Sequence, residues 1–476
     1  MLQPKIEKMV IARLLLLGIL LVNYTVMAQP QQAWLDRYNG GFTNQTHSPL
    51  AMKLDSSGNI YVAGSSQNAS NLYDYVVLKY APNGTQLMVA RYTSTNGANY
   101  NANGFALDQN GNTYVTGTGG TVKFNADGTM GWTAPYAGMD VAVDTNGNTL
   151  VTGFSTNEYA TVKLDSNGSN LWLRTYADQP LYMISQKVAA DNAGNVYVAG
   201  SDPSTSTNYQ ISLLMYDAAG DPIWTNNWKA LGGFSYAKGL IPDNQGNIYF
   251  AGLDPSGGNL AEEINALGKS DWNFGAASNS KVNGMALDTN GNVYLTGGAF
   301  TFKMNLYGEG MPVWYVFNPN TANGIALDSA ANVYVTGFSS IGTNNNFATV
   351  KYDNNGNQLW FISYNSPTNG NDVANAVAVA PDGSIYVTGY AVNASGGSDL
   401  TTIKYGSLNN IQKLSDGGIQ LQFFGTPGQS YDFQGTIDLT NWTLLGSAIA
   451  DTNDICQFTD TNAPSFPSRF YRNYLP

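Results

Sequence analysis

Short apolar runs alternate with polar turn segments along most of the chain, and one such pattern occurs eight times. It reads apolar-Ala-apolar-Asp, two free residues, Gly-Asn, apolar-Tyr-Val, one small residue and Gly, with a mean spacing near 46 residues. The copies span Ala51–Gly64, Phe105–Gly117, Val141–Gly153, Val188–Gly200, Leu240–Gly252, Met285–Gly297, Ile325–Gly337 and Val377–Gly389. Self-similarity at such a period predicts a repeat architecture.

The Asp-x-x-Gly-Asn core of each copy predicts a tight turn between two strands. An Asp carboxylate can accept backbone N–H bonds inside a turn, and Gly adopts the left-handed conformation that a Cβ disfavours. The flanking β-branched and aromatic residues favour strands. Each copy is therefore predicted to be a β-hairpin. The seventh has Ala331 at the Gly position, which we expect to cost about 1 kcal/mol.

A second pattern follows each copy and supplies two further strands. A run ending in Val-Lys-Tyr leads through Asp-x-x-Gly to a strand with Trp four residues after that Gly, most clearly over Ala160–Tyr176 and Ala348–Tyr364. The Trp positions are Trp132, Trp172, Trp224, Trp272, Trp314 and Trp360, with Met88 in the first unit. We expect the repeated Lys to form screened surface pairs with neighbouring acids. Each unit thus contains four short strands.

The two ends of the repeat array predict how the units assemble. The last unit stops at Thr402–Tyr405 without its Trp strand, whereas Ala33–Tyr38 near the N-terminus has the pattern of that missing strand. Pairing the two would complete the last unit and remove exposed sheet edges. We therefore predict an all-β fold, an eight-bladed β-propeller of four-stranded blades over residues 29–406, closed by the N-terminal strand in the last blade.

Two units carry a family resemblance. Asp165–Trp172 and Ala326–Gly337 resemble the SBBP-type bacterial beta-propeller repeat. That resemblance implies an exported or cell-surface bacterial protein, implies no reaction, and makes the motif residues scaffold residues.

The N-terminal segment has the features of an export signal. Lys5, Lys8 and Arg13 precede the apolar run Leu14–Val22, and Val26-Met27-Ala28 provides a cleavage site. The apolar core is shorter than the roughly 20 residues that span a bilayer. We predict a signal peptide over residues 1–28, cleaved near Ala28, a secreted or cell-surface protein, and no transmembrane segment after cleavage.

The C-terminal residues form a second predicted unit. A polar linker at 407–417 precedes strand-like runs over 418–476, which resemble a small β module that recurs on exported bacterial proteins. The resemblance is carried by Ile437–Trp442, Phe458–Asp460 and Arg469–Arg472. About 60 residues make a marginal core, so we expect the module to dock onto the propeller. Cys456 is expected to be a small buried hydrophobe rather than a nucleophile.

Composition excludes several classes of function. The chain of 476 residues has a formal net charge of -12, which disfavours nucleic acid as a partner. One histidine and one cysteine exclude a His-rich zinc site and an intrachain disulfide. The Asp turns lack the alternating oxygens and distal Glu of an EF-hand loop, so we expect hairpin turns rather than calcium sites. No cofactor and no metal site are predicted.

Function is expected where the connections vary. The two turns of fixed length in each unit fall on one edge of the array, which we call the turn rim, and the two variable connections fall on the other, the variable rim. Candidate ligand-binding residues on the variable rim are Asp74, Tyr209 and Asp399; no catalytic residue is assigned. The favoured hypothesis is a non-enzymatic scaffold that binds a glycan or protein at the cell surface, with an undetermined oligomeric state.

The alternative is a polysaccharide lyase or hydrolase that uses paired carboxylates. The acids expected on the variable rim are Asp74, Asp178, Asp202, Asp254, Asp372 and Asp399. His47, on the same rim, is expected to be structural or solvated.

Overall fold

The structure is a computed structural model, and every structural statement below concerns the residues that it describes. These are 30–42, 44–155, 158–176, 184–203, 209–229, 236–243, 245–253, 259–276, 282–304, 312–406, 408–424, 428–437, 441–451, 455–466 and 468–474. The predicted signal peptide lies outside them.

The described chain is nearly all β-structure, with one short 3-10 turn at Ala463–Ser465. The strands in chain order are β1 (Gln31–Tyr38), β2 (His47–Leu54), β3 (Ile60–Gln67), β4 (Tyr73–Tyr80), β5 (Gln86–Tyr92), β6 (Ala102–Leu107), β7 (Thr113–Gly117), β8 (Gly120–Phe124), β9 (Met130–Ala134), β10 (Asp140–Val143), β11 (Thr149–Ser155), β12 (Glu158–Leu164), β13 (Asn170–Tyr176), β14 (Ile184–Ala190), β15 (Val196–Pro203), β16 (Tyr209–Tyr216), β17 (Pro222–Lys229), β18 (Tyr236–Pro242), β19 (Ile248–Leu253), β20 (Asn259–Ile264), β21 (Ser270–Ala276), β22 (Gly284–Leu287), β23 (Val293–Met304), β24 (Trp314–Leu327), β25 (Val333–Ile341), β26 (Asn344–Tyr352), β27 (Gln358–Tyr364), β28 (Val373–Val379), β29 (Ile385–Val392), β30 (Ser398–Gly406), β31 (Leu408–Lys413), β32 (Ile419–Phe424), β33 (Ser430–Thr436), β34 (Thr443–Ile449), β35 (Ile455–Asp460) and β36 (Phe470–Tyr474).

Antiparallel four-stranded sheets dominate the repeat region. Five of them take their strands consecutively from the chain, namely β2 to β5, β6 to β9, β10 to β13, β14 to β17 and β18 to β21. A sixth has the order β1-β30-β29-β28, in which Trp34 pairs with Lys404 and Tyr38 with Leu400. The N-terminal strand and the last repeat therefore share one sheet.

Two repeats are joined in a six-stranded sheet, β22 to β27. Strand β24 explains the joining, because its first half pairs with β23 and its second half, from Thr321, pairs with β25. It serves as the fourth strand of one repeat and the first of the next. The long β23 similarly supplies the second and third strands of its repeat, since it pairs with both β22 and β24.

The Asp turns have the predicted hairpin geometry. In the first repeat, Asp55 Oδ1 accepts the backbone N–H groups of Ser57 and Asn59, each at 2.9 Å, and Oδ2 accepts Asn59 Nδ2 at 2.8 Å and the Tyr61 hydroxyl at 3.2 Å. Burial alone would raise the pKa of Asp55, but these hydrogen bonds hold it below its usual value. The turn hydrogen bonds recur at Asp108, Asp144, Asp191, Asp243, Asp288 and Asp328. The hairpin prediction is confirmed.

The repeated Trp joins successive sheets. Trp34 Nε1 donates to the carbonyl of Pro82 at 2.9 Å, and its ring lies so close to Gly84 that a Cβ there would be 2.8 Å away. The same Trp-to-Gly packing occurs for Trp132, Trp172, Trp224 and Trp314 against Gly168, Gly220, Gly268 and Gly356. The Gly of this turn therefore provides both a positive φ and space for the ring of the preceding sheet.

The repeated Lys is not used as predicted. Lys163 and Lys404 are almost fully buried, and each donates to a carbonyl of the following sheet, Ala218 at 3.3 Å and Pro82 at 2.9 Å. Lys163 also pairs with Asp144 at 3.0 Å. The expectation of screened surface pairs was wrong for these residues because the neighbouring sheet covers the lysine stem.

The first strand of each repeat packs against the first strands of its neighbours. The contacting pairs are β2 with β6, β6 with β10, β10 with β14, β14 with β18, β18 with β22, β22 with β24, β24 with β28, and β28 with β2. Side-chain amides reinforce these contacts by donating to a carbonyl in, or just before, the first strand of the next repeat. The donors and acceptors are Asn103 and Gly138, Asn283 and Ala322, Asn323 and Ala374, and Asn375 and Pro49.

The C-terminal residues form two three-stranded sheets, β31-β32-β35 and β34-β33-β36. Their shared core contains Phe423, Tyr431, Phe433 and Cys456, all buried, so the expected burial of Cys456 is confirmed. Residues 407–417, predicted as a linker, instead contain strand β31. Strand β31 is held by backbone hydrogen bonds to β32. It needs few apolar side chains because it is an edge strand with exposed residues such as Ile411.

The sequence signatures of this C-terminal module meet in space. Asp460 Oδ2 accepts Arg469 Nη1 at 2.8 Å and the Tyr471 hydroxyl at 3.0 Å, while the Arg472 guanidinium lies 4.2 Å from the Trp442 ring. The module also contacts the repeat region, because the Tyr431 hydroxyl donates to the carbonyl of Ala33 in β1 at 3.2 Å.

Candidate functional site

Asp74 lies on the variable rim at the start of β4, where it is fully buried. Its Oδ2 is 3.3 Å from Arg91 Nε on β5, and its Oδ1 accepts Asn68 Nδ2 at 2.9 Å and the backbone N–H of Ser94 at 3.2 Å. Asn68 Oδ1 in turn accepts the N–H groups of Ser70 and Leu72. Asp74 thus links the loop between β3 and β4 to the loop that follows β5.

Asp399 is the centre of an equivalent arrangement in the last repeat. Its Oδ2 is 3.1 Å from Arg37 Nε on β1, and its Oδ1 accepts Asn393 Nδ2 at 2.7 Å. Arg37 also donates to the carbonyl of Val392 at 2.9 Å. We call the two arrangements, Asn68-Asp74-Arg91 and Asn393-Asp399-Arg37, the loop clamps.

The loop clamps include four residues that sequence reasoning did not single out. A usable signal was present, because each Asn precedes its Asp by six residues and each Arg follows the residue at the Trp position, Met88 or Trp34, by three. The match was hidden by the location of Arg37 at the other end of the chain from Asp399. Only the pairing of β1 with β30 brings those two side chains together.

His47 lies between the two clamps and is fully buried. Its Nδ1 is 2.7 Å from the hydroxyl oxygen of Ser66, which also accepts a bond from the Arg91 guanidinium. Burial lowers the pKa of His47, and the nearby Arg91 charge lowers it further. A neutral His47 in a closed hydrogen-bond cluster fits the expected structural role, and neither His47 nor Ser66 is exposed to a substrate.

Asp372 is also buried on the variable rim. Its carboxylate accepts the backbone N–H of Ser366 at 2.5 Å and that of Val392 at 3.0 Å, so it joins two loops. Burial raises its pKa above the usual value, although these bonds and Arg37 oppose the effect. Its oxygens are therefore oriented inwards, towards the loops.

The other predicted rim residues are Tyr209, Asp202, Asp178 and Asp254. Tyr209 begins β16 and pairs with Pro203, but its side chain lies outside the described residues, as does that of Asp202. Asp178 and Asp254 also lie outside them. The structure brings Asp399 and Asp372 near Arg37, and it keeps Asp74 in its own clamp.

The turn rim has clefts that the sequence did not predict. One of about 390 Å³ lies between the Asp288 and Asp328 turns, where Lys303 and Asn354 complete its lining. A second, of about 300 Å³, lies between the Asp191 and Asp243 turns beside Met215. Both are lined by turn residues whose carboxylates already accept bonds from within the turn.

In the described part of the chain, no helix has the length and apolar character needed to cross a bilayer. Within the same ranges, no three His, Cys, Asp or Glu side chains converge in a way that could hold a metal ion.

Comparison with known families identifies the repeat. Residues 274–297, which include the start of β23, match the family model described as SBBP, Beta-propeller repeat. The chain carries an SBBP beta-propeller repeat. The resemblance read from other copies of the repeat is thereby confirmed. No curated protein matches the chain.

Solved structures with similar folds are distant. A streptogramin B lyase is 11% identical, with 78% of this chain and 97% of that chain covered and a TM-score of 0.45. The virginiamycin B lyase from Staphylococcus aureus is 11% identical, with 78% of this chain and 99% of that chain covered and a TM-score of 0.44. The WD40 beta propeller domain of Doa1 is 10% identical, with 65% of this chain and 93% of that chain covered and a TM-score of 0.43. Such similarities transfer no activity to an SBBP-repeat chain.

Proposed function

We propose that the chain is an exported, non-enzymatic scaffold in which residues 29–406 form a closed eight-bladed propeller that binds a glycan or protein on its variable rim. The observation that carries the proposal is the loop clamps. Asp74 and Asp399 are occupied by Arg and Asn partners that hold the loops. Carboxylates used in this way favour a rigid presenting surface over acid–base chemistry.

The sheet arrangement supports the ring. The contacts between successive first strands extend from β2 through β28 and include β28 with β2, and β24 divides its sheet into two repeats. The Trp34 joint and the bond from Asn375 to Pro49 both connect the last sheet to the first. These contacts are the ones that a closed eight-bladed array requires.

We assign the C-terminal module, residues 408–476, a role in holding the N-terminal strand. Ala33 is 5% exposed, whereas the equivalent Leu87 and Leu171 on the fourth strands of other repeats are 52% and 53% exposed. The Tyr431 contact with Ala33 places the module on this side of β1. The module therefore covers the strand whose pairing would close the ring.

The rim proposal predicts that exposed loop tips contact the ligand. Ser70 and Ser395 lie on the variable rim, and Asn110 lies on the turn rim; all three are exposed. Labelled full-length protein would be applied to an array of bacterial surface polysaccharides, with Ser70→Arg and Ser395→Arg as rim variants and Asn110→Arg as the matched control. We expect bound signal to fall for the rim variants only.

Two results would contradict this function. Loss of binding in Asn110→Arg with retention in both rim variants would assign the ligand to the turn rim instead. Release of new reducing ends or unsaturated sugars, abolished by Asp372→Asn, would favour the lyase or hydrolase. Export is tested separately by sequencing the N-terminus of the mature protein, which we expect to begin at Gln29.

A further inference from the structure

Six of the eight repeats have a lysine at the same position, and in five of them its ammonium group has the same aromatic neighbour. The nitrogen lies between 4.8 and 5.8 Å from the centre of the ring of that repeat's Tyr. The pairs are Lys79 and Tyr61, Lys123 and Tyr114, Lys303 and Tyr294, Lys351 and Tyr334, and Lys404 and Tyr386. The negative face of an aromatic ring attracts an ammonium group at this distance.

The turn Asp and the next sheet supply oxygen atoms to the same ammonium group. In the seventh repeat, Lys351 Nζ is 3.4 Å from Asp328 Oδ2. In three other repeats the lysine donates to a turn carbonyl of the next sheet, and the Trp that pairs with it donates to the same oxygen. These carbonyls are Pro82 for Lys404 and Trp34, Ser166 for Lys123 and Trp132, and Ala218 for Lys163 and Trp172. A carboxylate, a ring face and a carbonyl thus form a recurring ammonium site.

The fourth repeat keeps this arrangement without the lysine. Met215 takes its place, because Met215 pairs with Tyr197 and Trp224 in the register that the lysines have with their own Tyr and Trp. A Met side chain is as long as the lysine stem but ends in a methyl group. Trp224 Nε1 is shielded from solvent and has no hydrogen-bond partner among the described residues. This joint therefore lacks both donors that other repeats direct to the carbonyl.

The fifth repeat also lacks the lysine, but there an acid fills the position. Its residue is Glu263, whose Oε1 accepts the Tyr249 hydroxyl at 3.2 Å. Only the neutral Met215 therefore leaves the ammonium position without a charged side chain of the chain's own.

A cleft opens at the Met215 position. It is the cleft of about 300 Å³ on the turn rim, between the Asp191 and Asp243 turns, and its walls include Tyr197, Met215 and Ala266. Ala266 is the residue after the first position of its turn, as Ala218 is in the preceding repeat, so its carbonyl is the equivalent acceptor. None of the described residues that line the cleft is a lysine or an arginine.

The Asp191 carboxylate can accept an ammonium group in addition to its turn bonds. Asp191 Oδ2 accepts the amide of the turn Asn at 2.7 Å and the Tyr197 hydroxyl at 2.9 Å. Asp328 Oδ2 accepts the same two groups, at 2.8 and 3.0 Å, and still lies beside Lys351. Burial raises the pKa of Tyr197, and the Asp191 and Asp243 carboxylates raise it further. The cleft is therefore negative where the other repeats hold a lysine.

We propose that this cleft binds a primary alkylammonium group, of a lysine side chain or of a free amine, over the Tyr197 ring and against Asp191 Oδ2 and the Ala266 carbonyl. The ligand takes the position that the chain's own lysine has in other repeats, and Asp243 adds a second negative charge. The site lies on the turn rim, so it is distinct from the proposed variable-rim site and does not depend on closure of the ring.

The test is isothermal titration of the full chain at low ionic strength, because salt screens such a site. The probes are butylammonium chloride, acetyl-lysine amide with a free side-chain amine, and neutral butanol. Met215→Lys supplies the missing ammonium group from the chain itself, and Met215→Leu is the matched control that leaves the position open. We expect both amines to bind and butanol not to bind. Affinity for the amines should fall at least about tenfold in Met215→Lys and stay unchanged in Met215→Leu.

Lys303→Met applies the same reasoning in reverse. Lys303 lines the corresponding cleft of about 390 Å³, and its Nζ is 5.2 Å from the centre of the Tyr294 ring. Removing this ammonium group should let the chain bind one more equivalent of butylammonium. Circular dichroism of each variant must match that of the unmodified chain, and Lys303→Met provides an independent measurement if Met215→Lys does not fold.

Unchanged butylammonium affinity in folded Met215→Lys would overturn the site, as would equal binding of butanol and butylammonium. Absence of the extra equivalent in Lys303→Met would also count against it. Tighter binding of acetyl-lysine amide than of butylammonium would support the site and identify a polypeptide lysine as the ligand, whereas the reverse order would support it with a free amine. Loss of polysaccharide binding at the variable rim would leave these outcomes unaffected.

Discussion

Replacing Trp34 by alanine tests how much the joint between the first and last sheets contributes to stability. The Trp34 side chain is 8% exposed, packs on Tyr80 and Tyr386 with ring centroids 5.8 and 6.1 Å away, and donates to Pro82. Truncating a buried Trp costs about 3–5 kcal/mol, and the lost hydrogen bond leaves the Pro82 carbonyl without this donor. We expect Trp34→Ala to lower the free energy of unfolding by about 4 kcal/mol.

The assay is urea unfolding followed by far-ultraviolet circular dichroism, so that removal of a fluorophore does not affect the signal. Leu267→Ala is the control because Leu267 is 77% exposed, and its effect should lie within about 0.5 kcal/mol. Trp314→Ala at an internal joint, where Trp314 Nε1 donates to Asn354, provides a second comparison. A loss below about 1 kcal/mol for Trp34→Ala would refute the reasoning, because it would mean that β1 can detach without unfolding the array.

Three further predictions concern single residues. Burial lowers the pKa of His47 below its usual 6.5, so at low pH the unfolded chain binds more protons than the folded chain, and stability should fall as pH drops below about 6.5. Urea midpoints measured between pH 5 and 8 should show this fall in the unmodified chain and not in His47→Gln. Ala331 has a φ of +58°, and Ala331→Gly should stabilise the protein by up to about 1 kcal/mol, whereas a lower melting temperature would contradict the strain argument. Burial raises the pKa of the Cys456 thiol to about 12, so a thiol reagent at pH 8 should label it only in denaturant, and rapid labelling of the native protein would show that the module core opens.

The sequence by itself determined the local structure of the repeats. A turn such as Asp55–Asn59 needs only hydrogen bonds among neighbouring residues, so its pattern could be recognised in every copy without knowledge of the fold. The Trp positions were equally visible, although their partners were not, because each Trp packs against the Gly of a different repeat. The strand in the supposed linker escaped prediction because an edge strand needs little apolar patterning.

Tertiary structure decided what the charged residues do. Arg37 and Asp399 lie at opposite ends of the repeat region, yet Arg37 Nε is 3.1 Å from Asp399 Oδ2. Asp399, which the sequence suggested as a ligand-binding residue, therefore forms an internal ion pair. Asp140 and Lys187 belong to different repeats, yet Lys187 Nζ is 3.7 Å from Asp140 Oδ2. The physical reason is that a turn is specified by hydrogen bonds between near neighbours, whereas the environment of a charge is set by whichever distant strands pack around it.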